Sequence, residues 1–183
     1  MDGFDLIVVP DDEDEDAALL FVDGAVGGRP YRFLLDTGAG CTSVRTDGYT
    51  ASFARVGADC SAGLFGESLG EDLIVVPSVH LGPTARTDVT VARARGGPAG
   101  GAVVGMDLLA DHRLHLLFGE RRAAVDPPSE PAGVGQALVF DRSKHPYIEV
   151  RLRGAVASAV FDTGAGITVV DLALARHHQG HFR

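Results

Sequence analysis

A pentapeptide that occurs twice, Asp-Thr-Gly-Ala-Gly, constrains this chain more than any other feature. It spans residues 36–40 and again 162–166, and the likeness runs into the flanks. Phe33-Leu34-Leu35 precedes the first copy and Ala159-Val160-Phe161 the second. After each copy come one variable residue, a threonine (Thr42, Thr168), another variable residue and a valine (Val44, Val170). Each copy also follows a strand-like stretch, residues 18–26 in one case and 147–152 in the other. Chance rarely repeats five residues with matching flanks, so the chain reads as an internal duplication. Two related units each deliver one aspartate, Asp36 and Asp162, at the end of an apolar strand.

That placement has a chemical consequence. A carboxylate at the end of a buried strand is costly to ionise unless it is solvated or hydrogen-bonded. Two such groups brought together at a symmetric interface share a proton, because adjacent like charges resist ionising together. One carboxylate then polarises a bound water and the other holds a proton for a polarised carbonyl, which is general acid–base chemistry without a covalent intermediate. Thr37 and Thr163 carry hydroxyls that both donate and accept, so they suit bonding across the interface and fixing the carboxylate separation. Gly38 and Gly164 permit close backbone approach, with amide N–H groups aimed at the carboxylates. Ala39 and Ala165 are small enough for tight packing.

Between the copies lie short aliphatic or β-branched runs at 73–76, 79–81, 89–91, 115–118 and 123–125, punctuated by glycine and proline. Such spacing predicts a mainly β barrel or sandwich. Residues 119–122 read as a hairpin turn. Helical signal is confined to 106–112, after Gly105, and to 172–178, after a candidate N-cap at Asp171. Pro127-Pro128-Ser129-Glu130-Pro131 cannot continue a ladder and marks a linker. The expected organisation is an acidic arm over 1–16, a first unit over 17–126, a Pro-rich linker over 127–136 and a partial second unit over 137–183.

Composition narrows the partners. The chain has 183 residues, 45% of them hydrophobic, which suffices for one domain or two small lobes. A net charge of −9 argues against nucleic acid or an anionic membrane as a partner. No apolar run reaches membrane-spanning length, and the acidic start lacks the pattern of a secretory leader, so a soluble, cytoplasmic protein is expected. The acidic block at residues 11–16 reads as a solvated arm. Cys41 and Cys60 form neither a disulfide framework nor a metal spacing, and no histidine stands in a cysteine-protease context around Cys41. His177, His178 and His181 lack a completing carboxylate in helical register, so no metal is expected, and nothing calls for a cofactor. The glycine-rich run at 96–101 lacks the Lys-Ser/Thr ending of a phosphate loop and reads as a connection.

With these residues in view, the chain resembles the retropepsin-like and pepsin-like aspartic peptidases. The resembling residues are the apolar-apolar-Asp36-Thr37-Gly38-Ala39 segment, the segment Gly63-Leu64-Phe65-Gly66, and Val103-Val104-Gly105-Met106-Asp107-Leu108-Leu109. The resemblance covers nearly all of the first unit and the Asp-Thr-Gly-Ala region of the second. It implies an acid-protease-type closed β-barrel lobe followed by a partial second lobe, with Asp36 and Asp162 as the catalytic pair and no metal or cofactor. It also implies a peptide or protein substrate held under a mobile hairpin, for which Gly63, Leu64, Phe65 and Gly66 are the candidates. Val103-Val104-Gly105 would pack beneath the first aspartate loop as support. The chain departs from many relatives at Gly40 and Gly166, where a polar side chain is common. Two other readings stay open. One is an inactive or regulatory peptide-binding protein of the same ancestry, suggested by the short second unit. The other is a retropepsin-like homodimer that uses Asp36 from each chain.

Overall fold

The computed structural model describes residues 2–11, 14–62, 68–94, 102–128, 135–152 and 155–178, with only the backbone described at 59–62 and 68–69. In chain order the strands are β1 (Gly3–Asp5), β2 (Ile7–Pro10), β3 (Ala18–Val26), β4 (Arg29–Leu35), β5 (Ser43–Arg45), β6 (Arg55–Ala62), β7 (Ser68–Leu81), β8 (Thr84–Ala94), β9 (Val103–Val104), β10 (Leu114–Leu117), β11 (Arg122–Val125), β12 (Val139–Phe140), β13 (Pro146–Leu152) and β14 (Ala155–Val160). Two short helices, α1 (Met106–Leu109) and α2 (Leu172–His177), complete the set. The chain is mainly β, as its punctuated aliphatic runs predict.

The first unit is a sheet that meets itself. Its order is β2-β3-β4-β9-β5-β8-β7-β6, and β3 also pairs with β7, so β3, β4, β9, β5, β8 and β7 form a closed ring. Closure starts from the β3–β4 hairpin. Gly27 and Gly28 both have positive φ (54° and 79°), as a two-residue turn matching strand twist requires. β4 ends in the buried run Phe33-Leu34-Leu35, because it lies between β3 and β9 inside the sheet and has no solvent face there. Phe33, Leu35, Val22, Val26, Val44, Ile74, Val76, Val91 and Val104 fill the interior and are essentially inaccessible to water.

Several local expectations need correction. Runs 73–76 and 79–81 belong to one long strand, β7, which passes straight through Pro77. The ladder to β8 keeps its register across the proline: Val76 faces Val89 and Ser78 faces Thr87, and Asp88, between them on the facing strand, takes a positive φ of 52°. The acidic arm is shorter than residues 1–16. Residues 3–5 pair with β11, residues 7–10 pair with β3, and Leu6 between them is buried. Only the turn after Pro10 fits a solvated acidic segment, with Asp14, Glu15 and Asp16 exposed. Pro127, assigned to the linker, is fully buried, and its carbonyl accepts a bond from Arg113. The first helix stops at Leu109, short of the predicted 112. The hairpin at 119–122 is present as a tight turn between β10 and β11, with Arg121 at φ 49°. The second helix runs to His177, and the Asp171 carboxylate caps it by accepting from the amides of Ala173 and Leu174 at 2.8 and 3.0 Å.

The second unit is a three-stranded sheet, β12-β13-β14, followed by the second motif and α2. Among the described residues it contributes none to the main hydrophobic core. Val139, Phe140, Val156, Val160, Phe161, Ile167 and Val169 are all exposed. The contrast with the first unit is direct: Thr42 and Val44 are fully buried, while their counterparts Thr168 and Val170 are exposed. In the first unit β9 and α1 cover that surface. Among the described residues, no helix is long and apolar enough to cross a membrane.

Candidate active site

Each motif begins where a β-strand runs out. Asp36 follows β4, and its amide donates to the Val104 carbonyl of β9 at 3.1 Å, so the neighbouring parallel strand fixes where the loop starts. The loop then folds over Gly105. A Cβ there would lie 2.8 Å from the Ala39 and Cys41 carbonyl oxygens, so glycine is needed for the contact. The Met106 amide donates to the Ala39 carbonyl at 2.8 Å. Beneath, the buried Thr42 hydroxyl accepts from the Gly105 amide at 3.1 Å and donates to the Asp107 carboxylate at 2.7 Å. Val103, Val104 and Gly105 thus sit under the first aspartate loop.

The two motifs interlock through their threonines. The Thr37 hydroxyl donates to the Phe161 carbonyl (2.5 Å) and accepts from the Thr163 amide (3.0 Å). The Thr163 hydroxyl donates to the Leu35 carbonyl (2.6 Å) and accepts from the Thr37 amide (3.1 Å). Each hydroxyl uses one donor and one acceptor capacity on the backbone of the other repeat. The pattern is reciprocal, as a twofold relation between duplicated units requires.

This interlock brings the carboxylates together. Asp36 Oδ1 accepts from the amides of Gly38 (2.8 Å) and Ala39 (2.9 Å), and Asp162 Oδ1 accepts from the Gly164 amide (2.8 Å). Gly38 lies against the Asp162 carboxylate and Gly164 against that of Asp36, so closely that a methyl group on either glycine would collide with the facing acid. Burial, the charge of Asp162 and a hydrogen bond to it raise the Asp36 pKa from its ordinary 3.8 to about 6, outweighing the amides of Gly38 and Ala39. The pair therefore keeps a shared proton well above the normal carboxylate range. The place beside Asp36 that a second chain's Asp36 would take is filled by Asp162 of the same chain, against the twofold homodimer reading.

Ala165 lies on the second loop, half-buried beside Gly164. The hairpin candidates Gly63, Leu64, Phe65 and Gly66 lie outside the described residues, as do 96–101 and His181; β6 and β7 pair up to Ala62 and Ser68 on either side of 63–67. The Cys41 thiol points to the Thr42 carbonyl at 3.4 Å. His177 and His178 make an edge-on ring contact at 4.7 Å. Among the described residues no group of three or more His, Cys, Asp or Glu is placed to hold a metal ion.

Two residues near the site escaped the sequence reading. The space that a side chain on Gly40 would occupy is taken by Ser143 and His145, with the His145 Nε2 3.4 Å from an ideal Cβ. On the other side, Gly166 faces Ala17, Leu19 and the Asp11 carboxylate. The signal was available in the repeat itself. The offset of 126 residues that relates Thr37 to Thr163 also relates Ala17 to Ser143 and Leu19 to His145.

No family model and no curated protein matches the chain. A solved structure to which the chain is similar is a retropepsin-like aspartic protease from Rickettsia conorii, 14% identical, with a TM-score of 0.42, covering 66% of this chain and 89% of that one.

Proposed function

We propose that this chain is an aspartic-type peptidase that hydrolyses peptide bonds with a water activated between Asp36 and Asp162. The observation that carries the reading is the mutual approach of the two carboxylates, each seated against the glycine of the other repeat and locked by the crossed threonine bonds. In the singly protonated pair, the ionised carboxylate takes a proton from water as its oxygen attacks the scissile carbonyl carbon. The protonated carboxyl gives its proton to the carbonyl oxygen, leaving a tetrahedral diol. Proton return to the amide nitrogen then lets the C–N bond break, releasing an amine and an acid. The elevated Asp36 pKa supports this chemistry, because it extends the singly protonated state towards about pH 6.

Cleavage of a peptide library by the wild-type protein, Asp36→Asn and Asp162→Asn tests the proposal. Each variant is expected to lose at least about 100-fold in kcat/KM. Retained cleavage in both variants refutes the mechanism. A second reading, a peptide-binding protein that does not cleave, is favoured by the exposed apolar surface of the second unit. Under that reading the wild-type protein retains peptide without turnover, and a pepstatin-type inhibitor gives no thermal stabilisation.

A further inference from the structure

The loops that carry the aspartates also define a line across the molecule. Starting from the carboxylate pair, Gly38 faces Asp162, and two residues further on Gly40 faces His145 and Ser143. In the other direction Gly164 faces Asp36, and two residues further on Gly166 faces Leu19, Ala17 and Asp11. Two residues of chain span at most about 7 Å, roughly two residues of an extended peptide. A peptide whose scissile bond sits on the carboxylates therefore meets the His145 end and the Leu19 end at similar distances on opposite sides.

Those ends are equivalent in the duplication but differ in chemistry. His145 stands where the first unit has Leu19, and Ser143 where it has Ala17. The imidazole is held in place: its Nδ1 lies 2.9 Å from Asp141 Oδ2, and Asp141 Oδ1 accepts from the amides of Ser143 and His145, both at 2.9 Å. With Nδ1 committed to Asp141, Nε2 is the ring atom turned towards the line, and in the imidazolium form it is a charged donor. The same turn carries exposed Arg142 and Lys144, the latter 3.9 Å from Asp111. At the opposite end the atoms nearest an ideal Cβ on Gly166 are those of the Ala17 and Leu19 side chains and the Asp11 carboxylate, the last at 4.0 Å.

We propose that His145 is a specificity-determining residue, selecting substrates with an acidic side chain about two residues from the scissile bond on the Gly40 side. The Leu19 end, beside Asp11, disfavours an acidic side chain there. The inference rests on the peptidase reading for the position of the peptide, yet it makes a claim about binding that is measured without cleavage.

The test uses fluorescein-labelled peptides with a central apolar pair and a Glu or a Gln at each position outward, in mildly acidic buffer. Anisotropy gives Kd, and mass spectrometry of the same mixtures gives any cut. The wild-type protein is expected to bind the peptide with Glu on one side about tenfold more tightly than its Gln twin, the size of one charge-assisted hydrogen bond. His145→Leu, which copies the first unit, is expected to erase that preference. Leu19→His is expected to relieve the rejection of Glu on the other side. His145→Gln, a smaller perturbation of the turn, keeps the test valid if the leucine variant unfolds, and it too is expected to lose the charge preference. Equal binding of Glu and Gln twins, or the same discrimination in the His145 variants, overturns the proposal, as does failure of every peptide to bind. Cleavage without charge preference leaves the peptidase reading standing and removes this one. Charge-dependent binding without cleavage does the reverse.

Discussion

Replacing Thr37 by valine keeps the β-branched shape of the side chain and deletes only its hydroxyl. Two bonds across the repeats disappear, one donated to the Phe161 carbonyl and one accepted from the Thr163 amide. At about 1 kcal/mol net for each bond the loss is about 2 kcal/mol, rising to about 3 if the half-buried Thr163 amide finds no other acceptor. The Phe161 carbonyl regains water more readily, since that residue is 44% exposed. No described residue of the second unit joins the main core, so this cost falls on the contact between repeats and not on the barrel. An open state with Asp162 released should become about 30- to 150-fold more populated, while the melting of the barrel hardly moves. Hydrogen exchange at the Thr37, Thr163 and Gly164 amides reads the opening, and a peptide assay reads its effect on turnover. Thr37→Ser, which keeps the hydroxyl, is expected to restore both. Thr163→Val mirrors the loss, and the double variant should fall short of the sum by at least about 0.5 kcal/mol, because both residues serve one contact. Unchanged protection at all three amides in Thr37→Val would show that the crossed bonds do not hold the repeats together.

Four further outcomes are expected. Because the Asp36 pKa is higher folded (about 6) than its ordinary 3.8, the folded state binds that proton more tightly, so stability falls as pH rises from about 4 to about 6. Asp36→Asn removes this slope and is the more stable form at neutral pH, by up to about 3 kcal/mol; parallel denaturation curves at both pH values contradict the assignment. The same shift predicts that turnover declines through about pH 6 as the pair loses its shared proton, and a pH–rate profile measures it. Gly164→Ala places a methyl group against the Asp36 carboxylate, so activity is lost with little change in barrel melting. Thr42→Val orphans the Gly105 amide and the Asp107 carboxylate beneath the first loop, costing about 1–3 kcal/mol in denaturant unfolding.

Much of the architecture is legible in the sequence because local signals and tertiary context agree. Residues 18–26 have strand composition, Gly27-Gly28 can take the turn they need, and β3 forms over that span. Asp171 precedes an apolar helical stretch and caps it. The meeting of the two pentapeptides follows from their repetition. Other features depend on partners that local composition does not name. Pro77 reads as a strand breaker, yet β7 and β8 keep their register across it, with Asp88 on the facing strand at a positive φ. Residues 1–16 read as an acidic arm, yet Leu6 finds a core, β1 pairs far along the chain with β11, and β2 pairs with β3. His145 carries no motif of its own. Its position beside Gly40 emerges only when the whole hairpin is aligned on its duplicate, an alignment wider than the pentapeptide.

The unequal closure of the two sheets bears on how the protein behaves at high concentration. Pairing of β3 with β7 closes the ring of the barrel carrying Asp36, leaving β2 and β6 as the one-sided strands of that sheet. Among the described residues β14 pairs only with β13, and Val156, Val160 and Phe161 on or just after it are open to water. Self-association should therefore begin at the Asp162 end, making that half of the site the first casualty of crowding in the tube.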